Sequence, residues 1–136
     1  MRYLDGSFGF DKNVPEGVKY IRMAAERGDA KAQTQLAFMY IKGEGVPQDM
    51  KKAFDLYMQA AVQGDATAQY NVGIMYYFGK GVDKDIDQSF IWYKKSAEQG
   101  HTNAQYNLGN SVNVIVIDVL YVHVYTYHYR MCILLW

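Results

Sequence analysis

The chain has few of the features that mark small secreted, nucleic-acid-binding or membrane-spanning proteins. Its 136 residues include one cysteine, Cys132, which excludes a framework of disulfide bonds. Lys and Arg together number 14, as do Asp and Glu, so there is no basic excess with which to bind nucleic acid or acidic lipid. Residues 1–6 lack the apolar core of a secretory signal peptide. We therefore expect a cytoplasmic protein that binds no nucleic acid.

The sequence also lacks the residue spacings that are typical of catalytic and metal sites. His123 and His128 are five residues apart, which places them on different faces of a helix and on opposite faces of a strand. Asp83, Asp85 and Asp87 alternate as in a calcium loop, but the glycine and the downstream glutamate of such a loop are missing. We predict no catalytic, cofactor-binding or metal-binding residue, and we expect the chain not to be an enzyme.

What the chain has instead is an internal repeat of 36 residues. Gly28, Gly64 and Gly100 recur at that interval. The match extends to flanking glutamines, tyrosines, turn glycines and aspartates: Gln33/Gln69/Gln105, Tyr40/Tyr76, Gly43/Gly79, Gly45/Gly81, Asp49/Asp85 and Tyr57/Tyr93. A fixed period of roughly 20–50 residues is typical of a solenoid, in which each unit buries its apolar face against its neighbours. The repeat favours a binding function over catalysis.

Each repeat has the pattern of two helices joined by a glycine-containing turn. Asp29 and Asp65 follow a glycine and precede an alanine-rich stretch, as helix N-caps do, and second helices start near Asp49 and Asp85. Gly73 lies beside the packing face of its helix, where a small residue lets the second helix approach closely. The predicted helices are antiparallel pairs in a right-handed stack, near residues 14–27, 30–42, 49–63, 66–78, 85–99 and 102–110.

The sequence resembles the Sel-one-like repeat family, a subclass of the tetratricopeptide-like α-solenoids. The resemblance is carried by blocks such as 61–77, from Ala61 to Tyr77, and Gly43-Glu44-Gly45-Val46-Pro47-Gln48-Asp49, and covers about residues 16–110. It implies an all-α superhelix and a non-enzymatic adaptor or scaffold that binds other proteins, here as part of a longer array. The alternative is a regulatory segment of a larger enzyme, such as a protein kinase, whose catalytic domain is absent from this sequence.

The period divides the chain into five segments. Residues 1–28 are predicted to hold a partial first repeat (the end of a first helix, a loop and a second helix), 29–64 and 65–100 complete repeats, 101–110 the start of another, and 111–136 a non-repeat hydrophobic tail.

The tail, residues 111–136, contains no Gly, Ala, Glu or Lys and is rich in β-branched and aromatic residues. Four interpretations are open: a membrane span, a solenoid cap, a strand that pairs with a partner, and translated sequence that was never selected as protein. Asn113, Asp118 and Arg130 are among the polar residues that interrupt its apolar runs, so we expect no membrane insertion. We favour the fourth interpretation.

A binding surface can be placed from the repeat pattern. In a helical-hairpin solenoid the first helices line the concave face, and residues off their packing stripe point into it. These positions include Lys31, Thr34, Lys42, Thr67 and Asn103. The apolar and aromatic members form the predicted protein-binding face: Phe38, Ile41, Tyr70, Ile74, Tyr77, Phe78 and Tyr106. Aromatic residues are enriched where proteins bind proteins. The competing interpretation is that several of them pack between adjacent first helices, above all Tyr70 and Tyr106.

Overall fold

The computed structural model describes the backbone of residues 7–109 and, within that range, the side chains of residues 16–109. The described backbone is helical and contains no strand. The helices are α1 (Ser7–Glu26), α2 (Ala30–Lys42), α3 (Met50–Val62), α4 (Ala66–Phe78) and α5 (Ile86–Glu98), and a sixth, α6, runs over residues 102–109. The tail at 111–136, with every interpretation of it, lies outside the described residues.

The helices form hairpins that stack in chain order. α2 packs on α3 and α4 packs on α5 most extensively, and α1 with α2 and α3 with α4 provide the contacts between successive pairs. One continuous core runs through them, which includes Leu36, Tyr57, Val72 and Trp92. This is the all-α solenoid of helix pairs that the 36-residue period predicted.

The predicted helix caps are confirmed. Asp29 and Asp65 have extended backbones, and their side chains accept hydrogen bonds from the Ala32 and Ala68 N–H groups, both at 2.8 Å. Asp49 and Asp85 cap α3 and α5 in the same way, with bonds of 3.0 Å from Lys52 N and Gln88 N. These bonds satisfy N–H groups that have no partner inside the helix.

The helix predicted to start at residue 14 begins instead at Ser7, so the loop predicted before it is wrong. In the later pairs, this loop is anchored on the preceding first helix: Asp49 N and Asp85 N donate to the Tyr40 and Tyr76 carbonyls, each at 3.0 Å. Within the described residues, α1 runs through positions 7–13 without such a turn.

A ladder of glutamine side chains joins successive pairs, with Gln33 and Gln69 buried and Gln63, Gln99 and Gln105 exposed. Gln33 Nε2 donates to the Ala25 carbonyl at 3.2 Å, Gln69 Nε2 to Ala61 at 3.1 Å and Gln105 Nε2 to Ala97 at 3.2 Å. Each bond ties the start of a first helix to the end of the preceding second helix.

The same ladder continues from side chain to side chain. Gln63 Nε2 donates to Gln33 Oε1 at 2.8 Å, and Gln99 Nε2 donates to Gln69 Oε1 at 2.7 Å. Gln33 and Gln69 are buried, so these bonds remove the cost of placing unpaired amides in the interior. The ladder fixes how one helix pair sits on the next, and with it the spacing of the first helices.

Candidate functional site

A groove of about 500 Å³ lies between the first helices α2 and α4. Most of its accessible lining is apolar, with the Phe38 ring in one wall, and Tyr57, only 1% exposed, contributes from α3 beneath it. The lining residues are Lys31, Thr34, Gln35, Phe38, Tyr57, Asp65, Thr67 and Asn71. Lys31, Thr34, Phe38 and Thr67 were predicted from the repeat to face a groove.

The groove also presents polar groups that an extended peptide can use. Thr67 is exposed, and Asn71 Nδ2 donates to the Thr67 carbonyl at 2.9 Å, which leaves the Asn71 carbonyl oxygen facing other partners. Gln35 is also exposed. Amide and hydroxyl groups of this kind are the partners that a peptide backbone, with its regular donors and acceptors, can use.

Three of the predicted aromatic residues have large exposed surfaces on α2 and α4. Phe38 lines the groove and is 49% exposed, whereas Tyr77 and Phe78 lie at the end of α4, 43% and 62% exposed. The Tyr77 and Phe78 rings contact each other edge to face, with centroids 5.0 Å apart. Tyr106, on α6, is 70% exposed.

The other three predicted residues are half-buried. Tyr70 stacks on the His101 imidazole with centroids 4.7 Å apart, and its ring lies 5.8 Å from that of Tyr93. Ile41 packs against the core, and Ile74 is partly covered. Tyr70 thus links α4 with α5 and the start of α6, as the competing interpretation held, while the use of this face for binding stays a prediction.

Lysine side chains lie over the exposed rings, and two of them, Lys80 and Lys84, were not assigned to the site in the sequence analysis. Lys42 Nζ is 5.6 Å from the Phe38 centroid, Lys80 Nζ is 5.6 Å from that of Phe78, and Lys84 Nζ is 6.0 Å from that of Tyr77. These distances are within the range of cation–π attraction. Lys80 and Lys84 could have been assigned from the sequence, because they lie in the turn directly after Tyr77 and Phe78.

The ionisable groups inside the fold are tyrosines held in their neutral form. Burial raises the pKa of Tyr57 from 10.0 to about 12. Burial also raises the pKa of Tyr93, against the opposing effect of a hydrogen bond with the Asn107 side chain. Neither tyrosine is a proton acceptor near neutral pH.

Over the residues whose side chains are described, no three His, Cys, Asp or Glu side chains cluster as a metal site would require. None of the helices in the described part of the chain combines the length and apolarity needed to cross a membrane.

The Sel1 repeat family model matches this chain three times, at residues 1–29, 30–65 and 66–101. A search of curated proteins returns no match. Among solved structures, the chain is similar to a Sel1 repeat protein from Oxalobacter formigenes, with 42% identity and a TM-score of 0.71 over 80% of this chain and 81% of that one.

Two further structures share the fold. The protein c5321, a protective antigen of uropathogenic Escherichia coli that displays an SLR fold, is 39% identical with a TM-score of 0.72; the match covers 74% of this chain but 21% of that one. Cysteine rich protein B of Helicobacter pylori is 27% identical with a TM-score of 0.64, over 67% of this chain and 68% of that one. The repeated caps, the paired helices and these matches agree: the chain belongs to the Sel1 repeat family.

Proposed function

We propose that this chain is a non-enzymatic scaffold that binds a segment of another protein in the groove between α2 and α4. Sel1 repeat proteins are usually protein-interaction scaffolds. The observation that carries the proposal for this chain is the distribution of its exposed aromatic side chains. Of five such residues, Tyr20 lies on α1, while Phe38, Tyr77, Phe78 and Tyr106 all lie on first helices.

The second helices α3 and α5 show the opposite pattern. Their aromatic side chains are buried or half-buried, as with Phe54, Tyr57 and Trp92. Their exposed positions hold polar residues such as Lys51 and Lys94 and three aliphatic ones: Val62, Ile86 and Ile91. Aromatic side chains gain most from desolvation at an interface. From α2 to α6 the exposed aromatic side chains lie on the first helices, and one of them, Phe38, lines the groove, an arrangement suited to binding a partner.

The test is an unbiased selection of peptides on the immobilised 136-residue chain, followed by measurement of each selected peptide against two variants. Thr67→Trp fills the groove from an exposed position that lines it. Lys94→Trp adds the same ring to an exposed position of α5 and is the matched control. We expect Thr67→Trp to weaken binding by about tenfold or more, as for a blocked hot spot, and Lys94→Trp to leave it unchanged. Selected peptides that bind both variants equally well would place binding elsewhere and contradict the proposal.

The proposal also covers the length of the repeat array and its compartment. We propose that the repeats work within a longer array and in the cytoplasm; the single cysteine is in keeping with a reducing compartment. The alternative, a regulatory segment of an enzyme such as a protein kinase, requires a catalytic domain encoded in the same gene. Sequencing the flanking exons decides between them, because they encode either further 36-residue units or a different domain.

A further inference from the structure

One face of α1 is open where the same face of the later second helices is buried. In α5, the Tyr93 ring lies over Gly73 of its first helix, and Tyr93 is 4% exposed. Tyr57 holds the same repeat position in α3 and is buried, whereas Ile21, its equivalent in α1, is only half-buried. No described atom lies within 4 Å of the position that a Cβ on Gly17, one turn earlier, would take. Within the described residues, α1 therefore presents a second-helix face on which no first helix lies.

A cavity of about 600 Å³ lies beside this face of α1. Its lining residues are Tyr20, Met23, Ala24, Arg27, Gly28 and Asp29. The residue at the position of Ala24 in α5 is Ser96, which is fully buried. Ser96 Oγ donates to the Ala66 carbonyl, in the first turn of α4, at 2.6 Å. In that pair, the start of a first helix fills the space that is open beside Ala24.

α6 has the complementary open face, that of a first helix with no second helix against it in the described part of the chain. Ala37 and Gly73 are buried in α2 and α4. Gly109 holds the same position in α6, but it is exposed, and no described atom lies within 4 Å of the place its Cβ would take. Leu108 is half-buried, whereas Val72 at its position is fully buried. α1 and α6 thus present the two halves of one helix pair.

The glutamine ladder points to the same partner. Gln33 and Gln69 each accept a hydrogen bond from a glutamine 30 residues later, at the end of the second helix of the same pair. Gln105 holds this place in α6, and within the described side chains none donates to its Oε1. The residue of α1 at the donor's repeat position is Arg27, which is exposed and lines the cavity. A guanidinium group offers only N–H donors, so Arg27 suits the Gln105 oxygen.

We infer that copies of this chain join head to tail, with α6 of one copy and α1 of the next forming a helix pair. Gly109 of one copy lies against Ile21 of the next, in the register of the pairs within the chain. Arg27 of the next copy donates to Gln105 and continues the ladder. The occupant is a second copy because the contact repeats, position for position, an interface that the chain already forms twice. The inference goes beyond the proposed function, because it concerns the ends of the helix stack and not the groove between α2 and α4.

The same register covers the exposed apolar side chains of α1. Tyr20 and Met23 are 61% and 39% exposed. Leu56 holds the position of Tyr20 in α3, and it lines a cavity that residues of α1, in the preceding pair, also line. Trp92 holds this position in α5 and is buried. In the head-to-tail contact, Tyr20 lies beside α5 of the preceding copy, and burial of its ring adds to the affinity.

Sedimentation velocity of the 136-residue chain at about 5 to 200 μM measures the association. We expect the mean mass to rise with concentration past that of a dimer, because a heterologous contact leaves an open face at each end of every assembly. A chain that stays monomeric over this range overturns the inference; its own residues 111–136 or a different protein would then be the occupant of the α6 face.

Two blocked variants test the direction of the contact. Gly109→Trp covers the open face of α6 and Gly17→Trp covers that of α1, and no described atom obstructs the Cβ of either new side chain. Each variant alone should stay monomeric, whereas an equal mixture should form dimers, because each supplies the face that the other lacks. Lys51→Trp adds the same ring to an exposed position of the central helix α3 and should associate like the parent chain.

The other results of this mixing experiment contradict the inference. Dimers of either blocked variant alone would show that like faces bind each other, and a mixture that stays monomeric would show that α1 and α6 do not pair. Association that survives in both variants would be non-specific. Melting temperatures equal to that of the parent chain establish that the substitutions act on the contact and not on the fold.

Substitutions of Arg27 test the same contact without changing either apolar face. Arg27→Glu removes the donor and should weaken association by about tenfold, whereas Arg27→Gln supplies the side chain found in the other two pairs and should retain association. Lys31→Glu makes the same charge change on the side of α2 that faces α4 and should have no effect. Equal weakening by Arg27→Glu and Lys31→Glu, or by Arg27→Glu and Arg27→Gln, would mean that the ladder does not continue between copies and would overturn the pairing.

Discussion

At residues 30–65 and 66–101 the chain builds the same helix pair twice, with matching interiors and different exteriors. The cap residues Asp29 and Asp65 have φ of −67° in both cases, and ψ of 114° and 113°. Gln33 and Gln69 each bond the carbonyl eight residues earlier, at 3.2 and 3.1 Å. The interior is therefore set by backbone groups that every pair must satisfy in the same way.

The exposed positions of the two pairs have diverged. Lys42 of α2 corresponds to Phe78 of α4, and the half-buried Ile41 corresponds to the exposed Tyr77. One repeat thus ends its first helix with a cation, and the next ends it with two aromatic rings flanked by lysines from the turn. The fold thus depends on the buried and cap residues, and the binding chemistry depends on the exposed ones. Substitutions of the first set should change stability, and substitutions of the second should change binding.

The largest loss of stability is expected where one pair touches the next through backbone alone. Gly81 has φ of +70°, and a Cβ there would overlap the Met50 carbonyl at the start of α3. Gly81→Ala therefore combines left-handed strain with a clash against backbone, and should lower the free energy of unfolding by about 3 kcal/mol. Urea denaturation of the full chain measures the change.

The matched control for this variant is Gly28→Ala. Gly28 also has a positive φ, +93°, but no described atom lies within 4 Å of the position its Cβ would take. Gly28→Ala should lower the free energy of unfolding only by the backbone strain, about 1–2 kcal/mol. Equal losses in both variants would show that the contact between Gly81 and Met50 does not hold the pairs together.

The second test alters a packing position at which the two pairs differ in size. Ala37 in α2 corresponds to Gly73 in α4, where a Cβ would lie 2.6 Å from Tyr93 Cδ1. Gly73→Val should destabilise the fold by about 1–3 kcal/mol through overpacking, measured by thermal unfolding. Gly17→Val places the same side chain in α1, where no described atom lies within 4 Å, and should cost little. An unchanged melting temperature for Gly73→Val would contradict the close approach of α4 and α5.

The third test uses pH. Tyr57 has a pKa of about 12 in the folded chain against 10.0 for an ordinary tyrosine, because burial disfavours its anion. The stabilising contribution of Tyr57 is complete below pH 10. As the pH rises from 10 towards 12, the free energy of unfolding falls by about 1.4 kcal/mol per pH unit, because the unfolded chain releases the tyrosine proton first. Urea denaturation at pH 9, 10 and 11 should show the fall, and Tyr57→Phe should reduce its slope. Parallel curves for the two proteins would mean that Tyr57 is not shielded as its burial implies.

The helix boundaries were predictable from the sequence because their determinants are local. The spacing predicted helices over 30–42 and 66–78, which are the bounds of α2 and α4, and α3 and α5 end within one residue of their predicted limits. Caps and turn glycines act on adjacent backbone and leave a visible pattern. The start of α1 was not predictable in this way, since the turn expected there depends on hydrogen bonds to another helix.

The candidate site was predictable in part. Phe38, Tyr77 and Phe78 are exposed as the repeat register indicated, but Tyr70 is engaged by His101 and Tyr93. That contact depends on how the start of the next pair sits over α4, which periodicity does not specify. The glutamine ladder was missed even though Gln33, Gln69 and Gln105 recur in register. A polar residue kept at a repeat position beside alanines is a signal for a buried hydrogen bond.

The smallest change in unfolding free energy is expected at the third helix cap, where His101 stands in place of the aspartates at positions 29 and 65. His101 Nδ1 accepts from Ala104 N at 3.3 Å, longer than the 2.8 Å bonds of the aspartates. His101→Asp should shorten this bond and place a negative charge at the start of α6, a gain of about 0.5–1 kcal/mol in unfolding free energy. It also removes the imidazole that stacks on Tyr70.

Two control variants separate these effects. His101→Asn caps the helix without charge and loses the same stacking, so the difference in unfolding free energy between the Asp and Asn variants measures the helix-dipole effect. The difference between the Asn and Ala variants measures the cap. If His101→Asp melts below the parent chain, the ring contact with Tyr70 is worth more than the better cap, and histidine holds this position because it joins α4 to α6.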